Sequence, residues 1–150
     1  GDGEGKTMGL APYGDTTNCK GVLDKYFPEF NGCELVKESS ISEEYYWNEN
    51  GAIQFHMDDA HEVENLIINH GGNNIAAEAQ KKLEENMLSL VSGWVSKTGI
   101  TRILFAGGVM LNVKLNQKIW YALKNIISPK KTLLIESEYN RLICLFEMFK

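Results

Sequence analysis

The chain has 150 residues, of which 43% are hydrophobic, and it carries a formal net charge of −5. This length and composition are sufficient for one domain with a hydrophobic core, and we do not expect two large domains. The basic residues are scattered along the sequence, whereas proteins that neutralise nucleic-acid phosphates or anionic membranes cluster them. We therefore expect no nucleic-acid partner and no membrane partner.

The cysteines indicate a reducing compartment. Cys19, Cys33 and Cys144 are odd in number, widely spaced and without a C-x-x-C pair, which argues against a disulfide framework and a structural zinc site. No apolar run approaches the roughly 20 residues that span a bilayer, and the glycine-rich, acidic start is unlike an export signal. We expect a cytoplasmic location. Because residue 1 is not Met, we also expect the chain to be a piece of a longer one.

The first segment, residues 1–15, contains five glycines and Pro12, which predicts a loop or a succession of turns. Glu4 and Lys6 give this loop one acid and one base. Such a loop would wrap a phosphate or carbamoyl group, with Lys6 as the point charge. It is not a P-loop, because the four-residue spacer before G-K-[ST] is missing. A flexible lead-in is the alternative that these residues leave open.

The next part of the chain mixes one helix and two strands in our prediction. Residues 18–30 suggest a short helix that ends at Pro28. The residues expected on its buried side are Val22, Leu23, Tyr26 and Phe27. Residues 33–36 and 52–57 alternate enough to predict strands, separated by a polar connector over 38–50 whose aromatic residues are expected to serve packing.

The histidines do not suggest a metal site. His56, His61 and His70 are spaced so that no two imidazoles share a helical face, and no H-E-x-x-H motif is present. We expect all three at the surface or at helix edges, and no metal ligands in this chain.

A long helix is predicted to begin at Asn73 or Asn74, whose side chain would cap it, and to end before Gly99. Apolar residues recur there in steps of three and four, giving one continuous stripe. The stripe consists of Ile75, Ala79, Leu83, Met87, Leu90, Val91, Trp94 and Val95. The opposite face, with residues 80–82 and 84–85, is expected to be solvated.

Residues 101–116, TRILFAGGVMLNVKLN, predict a strand over 101–106, a turn at Gly107 and Gly108, and a helix from Val109 to about residue 125. Two glycines let a ligand lie against the main chain, and the helix start offers unpaired N–H groups. Asn112 and Asn116 are one turn apart on one face, where their amides suit a ribose or a base edge. A tight turn beside solvated amides is the alternative.

The order helix, strand, helix and second apolar run at 132–135 predicts an α/β fold. Short connections of this kind give a parallel pair of strands joined by a right-handed crossover. Ligands of such sheets bind at the carboxyl ends of the strands, which is where Gly107 and Gly108 would lie.

Three ordered motifs resemble one family. Residues 4–14, EGKTMGLAPYG, resemble the E-x-K-x-M-G-L-A-P-Y-G segment of the NodU/CmcH-type O-carbamoyltransferases. Residues 75–85 resemble the A-A-x-x-Q-x-x-L-E-E helix of that family, and residues 106–116 resemble its G-G-V-x-L-N-x-x-x-N turn. The three matches together are far more specific than any one of them, and they favour a functional first segment over a flexible lead-in.

The resemblance implies part of an actin-like ATPase domain of the actin, Hsp70 and sugar-kinase superfamily, which has a ribonuclease-H-like parallel or mixed sheet with flanking helices. It also implies that carbamoyl phosphate and ATP form a carbamoyl-adenylate, from which a separate domain passes the carbamoyl group to a hydroxyl of a small molecule or sugar. Gly107, Gly108 and Asn112 match the adenosine site, to which Asn116 also belongs. Lys6 and Glu4 match the first motif and are the expected catalytic residues. The expected site residues are therefore Gly107, Gly108, Asn112, Asn116, Lys6 and Glu4.

The sequence also departs from the family. The resemblance covers about residues 3–119, whereas the upstream H-x-x-H-A-type histidines and the downstream P-x-x-G-D-x-G segment are absent. We expect the iron or magnesium of the intact enzyme to have its ligands outside this chain. Residues 120–150 are expected to be a divergent tail on a single partial domain, without the carboxyl-terminal acyl-transfer domain.

Such a fragment is expected to be incomplete or inactive on its own. The alternative from another class is a non-catalytic domain of the same superfamily, either a degenerate ATP-binding module or an interaction domain. A sugar or acid kinase is disfavoured, because the M-G-L-A-P-Y-G segment does not match a kinase feature.

Overall fold

A computed structural model describes residues 3–40, 45–47, 53–55 and 57–126. Helices and short strands are combined in this part, so its broad class is α/β. In chain order the elements are α1 (Glu4–Leu10), β1 (Glu29–Asn31), β2 (Glu34–Lys37), β3 (Tyr45–Trp47), β4 (Ile53–Phe55), α2 (Met57–His70), α3 (Gly72–Thr98) and α4 (Val113–Ile126). Short 3-10 helices lie at Ala11–Tyr13, Asp24–Tyr26 and Gly108–Leu111.

The strands form two separate antiparallel hairpins, β1 with β2 and β3 with β4. β2 and β4 confirm the strands predicted over 33–36 and 52–57 to within a few residues, but β3 lies inside the predicted connector. The predicted parallel or mixed sheet is therefore wrong for the described residues, where both pairings are antiparallel. The actin-like, ribonuclease-H-like fold is not confirmed.

The strand predicted over 101–106 is also wrong. Residues 99–106 have no regular structure, and the side chain of Leu104 is 90% exposed. The apolar pattern is present, but a strand also needs a neighbour that pairs with its backbone N–H and C=O groups. No described strand lies beside this segment, and the second apolar run at 132–135 lies outside the described residues.

The long helix is confirmed as α3, although its cap differs from the prediction. Gly71, with φ +87°, precedes the helix, and Gly99 ends it in the left-handed region with φ +68°. The Gly99 N–H donates to the Val95 carbonyl at 2.8 Å. Asn74 does not cap the helix, because its Oδ1 accepts from the Asp15 N–H at 2.8 Å and its Nδ2 donates to the His70 carbonyl at 2.8 Å.

The helix predicted over 18–30 is wrong, because this stretch forms turns and one 3-10 helix. Gly21 has φ +81°, a conformation that interrupts a right-handed helix. The apolar pattern is nevertheless used for burial. Leu23 is buried with Cys19 and Ile75, and the half-buried side chains around them include Val22, Tyr26 and Phe27.

α2 was not predicted from the sequence, which placed only the histidines of this stretch, at the surface or at helix edges. His61 is exposed and pairs with Glu64 across one turn at 3.7 Å, and His70 lies in the last turn. These two positions confirm the expected surface and helix-edge locations, whereas His56 lies outside the described residues.

The main core lies between α3 and α4. Val91 and Val95 of α3 pack against α4, where Leu115 is completely buried and Ile119 and Leu123 are nearly so. Burying one such side chain stabilises the fold by about 1.5–3 kcal/mol. This core fixes α4, and with it the glycine turn, against α3.

The β1–β2 hairpin crosses α3 at Gly93. A Cβ at Gly93 would lie 2.3 Å from the Cys33 nitrogen, so the hairpin backbone rests directly on the helix. Ser89 strengthens the crossing, because its Oγ donates to the Phe30 carbonyl at 3.0 Å and accepts from the Gly32 N–H at 3.1 Å.

Candidate functional site

A cleft of about 380 Å³ lies where the first motif, α3 and α4 meet. Each of the three motifs contributes to it or directly supports it. The lining residues are Ala11 and Pro12 from the first motif, Ala77, Gln80, Lys81 and Glu84 from α3, and Lys114, Gln117 and Lys118 from α4. Motifs whose starts lie about 70 and about 30 residues apart in the sequence thus share one site. We take it as the candidate functional site.

The first motif is a docked helix rather than a loop. Glycines cost helix stability, yet residues 4–10 form α1, and the 3-10 helix after it buries Ala11 against α3. Gly14 allows this contact, because a Cβ there would lie 2.0 Å from the Asn73 carbonyl oxygen and 2.8 Å from the Ala77 Cβ. The predicted loop and the flexible lead-in are both contradicted by this packing.

Glu4 and Lys6 are exposed on α1 and are not among the residues that line the cleft. Backbone hydrogen bonding in the first turn of α1 lowers the pKa of the Glu4 carboxyl, so Glu4 is ionised at neutral pH. Neither side chain joins the residues that line the cleft. Their catalytic role stays a prediction.

The glycine turn is exposed and sterically open. Gly107 has φ +97°, a conformation that side chains rarely adopt, and Gly108 starts the 3-10 helix. A Cβ at either position would meet no atom within 4 Å. A ligand can therefore approach the backbone, although the helix predicted from Val109 is divided into the 3-10 helix and α4.

Asn112 joins the turn to α3. Its Nδ2 donates to the Gln80 Oε1 at 2.7 Å, while its Oδ1 accepts from the Gln80 Nε2 at 3.2 Å. The same Oδ1 accepts from the Leu115 N–H at 3.0 Å, as an N-cap residue does. Asn112 is half-buried, and its amide is engaged within the protein.

Asn116 lies one turn further along, as predicted, and its N–H donates to the Asn112 carbonyl at 3.0 Å. Its Nδ2 donates to the Met110 carbonyl at 2.7 Å, which secures the 3-10 helix to α4. Both amides therefore hold the shape of the turn. Their predicted contact with an adenosine is not tested by these positions.

A buried polar network connects this turn to the cleft. Gln80 and Glu84 are 8% and 5% exposed, and the Gln80 Nε2 donates to the Glu84 Oε1 at 2.7 Å. The second oxygen of Glu84 accepts from the Lys118 ammonium. Sequence reasoning placed Gln80 and Glu84 on a solvated face and missed this network.

The cleft lysines were missed as well. Lys81 was assigned to the solvated face of α3, and Lys114 and Lys118 received no role. One signal was available in the sequence: Lys114 and Lys118 are four residues apart and so share a face of their helix. The sequence does not show that Lys81 of α3 lies beside them.

The described residues contain neither a metal-binding cluster nor a membrane-spanning helix. No group of three or more His, Cys, Asp or Glu side chains in ranges 3–40, 45–47, 53–55 and 57–126 is arranged to hold a metal ion. Within the same residues, we find no helix with the length and apolar character needed to cross a membrane.

Comparison with known proteins gives one match. No curated protein and no solved structure matches the chain. A family model described as the carbamoyltransferase N-terminus matches residues 1–125. This range contains all three motifs and extends past residue 119, where the resemblance in the sequence ends. The chain therefore belongs to the carbamoyltransferase family, in the part that the family model describes as the N-terminus.

Proposed function

We propose that this chain is the nucleotide-binding portion of an O-carbamoyltransferase. The intact enzyme would use carbamoyl phosphate and ATP, through a carbamoyl-adenylate, to carbamoylate a hydroxyl of a small molecule or sugar in the cytoplasm. Family membership supports carbamoyl transfer in general. The observation that carries the finer proposal is the single cleft between the three motifs, beside an open glycine turn.

In this proposal the adenosine lies over Gly107 and Gly108, because the backbone there is exposed and unobstructed. Asn112 and Asn116 lie at the edge of the sugar or base, and their internal hydrogen bonds hold the turn in the shape that receives it. Lys6 and Glu4 are exposed on α1 and so accessible to a ligand. The iron or magnesium would be held by residues outside this chain.

Preorganisation is what these residues contribute to the chemistry. Holding the nucleotide in one orientation exposes the carbamoyl carbon of the adenylate to the acceptor hydroxyl. The new C–O bond would form between the acceptor oxygen and the carbamoyl carbon as the bond from that carbon to the phosphate oxygen of AMP breaks, and the hydroxyl proton would leave to solvent. The acyl-transfer domain, which the resemblance places after this domain, would present the acceptor.

The alternative is a non-catalytic domain, either a degenerate ATP-binding module or an interaction domain. Two observations favour it. The amides of Asn112 and Asn116 are engaged within the protein, and neither Lys6 nor Glu4 lines the cleft. The two proposals differ in whether ATP binds at the glycine turn.

Calorimetric titration with ATP distinguishes the two proposals. It is carried out on this chain and on an intact family member, each with the same substitutions at matching positions. Gly108→Val should weaken ATP without unfolding the protein, because no protein atom lies within 4 Å of the added Cβ. Asn112→Ala should weaken ATP by about two- to twelvefold, the value of one uncharged hydrogen bond. Unchanged ATP affinity in both variants, with an intact circular dichroism spectrum, would favour the non-catalytic domain.

Turnover gives a second test. The purified 150-residue chain should not cleave ATP in response to carbamoyl phosphate, because the H-x-x-H-A-type histidines and the P-x-x-G-D-x-G aspartate of the family are not in its sequence. Carbamoyl-phosphate-dependent formation of AMP or carbamoyl-adenylate, abolished by Lys6→Ala, would contradict this expectation and show that the chain is a complete catalyst.

A further inference from the structure

The charge of the cleft is opposite to that of the chain. The whole sequence has a net charge of −5, yet Lys81, Lys114 and Lys118 all line the cleft. Glu84 is the one acidic residue among the described lining residues. A pocket that collects positive charge on an acidic protein concentrates anions from solution.

The three lysines of the cleft differ in whether a carboxylate neutralises their charge. Lys118 is bound to the buried Glu84, which is held in turn by Gln80, so the position of its ammonium is fixed. Lys81 and Lys114 have no carboxylate within salt-bridge distance in the described residues. Positive charges that line one cleft repel one another, and an anion between them removes that repulsion. The cleft therefore has the charge of a site that is completed by an anionic ligand.

The shape limits what that anion can be. A volume of about 380 Å³ is near the lower end of the range for small-molecule sites, about 300–1,000 Å³. Lysine ammonium groups bind phosphate oxygens as point charges without requiring a planar partner. A phosphate or pyrophosphate group fits both the size and the chemistry.

We infer that Lys81, Lys114 and Lys118 bind the phosphate group of a substrate in this cleft, with Ala11 and Pro12 of the first motif as its wall. The inference rests on the proposed function and names the group that the site receives. It transfers the phosphate-binding charge from Lys6, where the sequence placed it, to three lysines on α3 and α4. The phosphate belongs either to ATP or to carbamoyl phosphate.

The test is calorimetric titration of the purified 150-residue chain with pyrophosphate, carbamoyl phosphate and ATP at low salt. Lys81→Gln and Lys114→Gln should each weaken pyrophosphate by about 5- to 10-fold, between the values of an exposed and a well-formed charge-assisted contact. The double variant should show no measurable binding. Lys118→Gln leaves Glu84 buried without its cation, so it is measured only if its circular dichroism matches that of the parent.

A control variant carries the same loss of charge away from the cleft. Lys97 lies about 20 Å along α3 from the cleft, as calculated from the helical rise of about 1.5 Å per residue. Lys97→Gln should therefore bind pyrophosphate as the parent does. The Lys81 and Lys114 variants also identify the source of the phosphate. It belongs to ATP if these variants lose affinity for ATP, and to carbamoyl phosphate if they lose affinity for carbamoyl phosphate.

Two results would overturn the inference. One is a parent chain that does not bind pyrophosphate, and the other is parent-like pyrophosphate affinity in the Lys81→Gln and Lys114→Gln variants. Neither result affects the proposed function, which is decided by ATP at Gly108 and by turnover. Conversely, pyrophosphate binding that depends on the two lysines supports the inference even if Gly108→Val leaves ATP unchanged.

Discussion

Replacing Gly14 by alanine should separate the first motif from α3. The added methyl group would lie 2.0 Å from the Asn73 carbonyl oxygen, 2.5 Å from its carbon and 2.8 Å from the Ala77 Cβ. Two of these atoms belong to helix backbone and cannot move aside as a flexible side chain would. Overpacking of this kind typically costs about 1–3 kcal/mol. Because the Asp15 N–H donates a hydrogen bond to the Asn74 Oδ1 at 2.8 Å, the chain cannot shift there without losing that hydrogen bond as well.

Gly9→Ala is the matched control in the same motif. No atom lies within 4 Å of a Cβ at Gly9, and the residue is inside α1. Alanine there should stabilise the protein by up to about 1 kcal/mol through helix propensity. Thermal unfolding, followed by circular dichroism, measures both effects. The midpoint of Gly14→Ala should be lower than that of the parent by about 2–4 °C for each kcal/mol lost, and the midpoint of Gly9→Ala should equal or exceed that of the parent. Equal midpoints for Gly14→Ala and the parent would refute the close contact.

Leu115→Ala should lower the free energy of unfolding by about 2–5 kcal/mol, because Leu115 is completely buried. Leu104→Asp should leave the urea midpoint almost unchanged, since Leu104 is 90% exposed. A large decrease in that midpoint would support the predicted strand. Gln80→Ala should cost about 1–3 kcal/mol by leaving the Asn112 amide without its partner, and a neutral result in chemical denaturation would show that the pair does not contribute. Burial raises the pKa of the Cys19 thiol, with Glu78 adding to the effect. The stability that the protonated thiol contributes is therefore full below the unfolded pKa of about 8.5 and is lost as pH rises through the higher folded pKa. Cys19→Ala should abolish this pH dependence of the free energy of unfolding, as measured by unfolding curves at alkaline pH.

Local and periodic features were predictable from the sequence. The apolar stripe of α3 and its glycine stop were found because a helix of this length imposes a repeat that few other structures share. The family was found because three motifs occur in a fixed order, which the match over residues 1–125 confirms. The sequence also identified which side chains of residues 18–30 are buried, although not the backbone that buries them.

Features that depend on partners were not predictable. The apolar residues of 101–106 predict a strand, but pairing is a property of two segments, and no described strand lies beside this one. The glycines of α1 predict a loop when considered alone, whereas docking on α3 outweighs their cost. For the site, the amide of Asn112 was recognised, but its bond to Gln80 spans 32 residues and only the folded chain reveals it.

Helix α3 has a consequence for how the described part unfolds. The 3-10 helix after α1, α1 itself, β1, α2 and α4 all pack on α3. A scaffold of this kind couples the opening of separate elements, since each of them loses packing when α3 opens. Amide hydrogens in the middle of α3 should consequently exchange with solvent only through global opening, while those of α1 exchange through local fraying. Elements from different parts of the chain that pack on α3, such as β1 and α4, would then share a single cooperative transition.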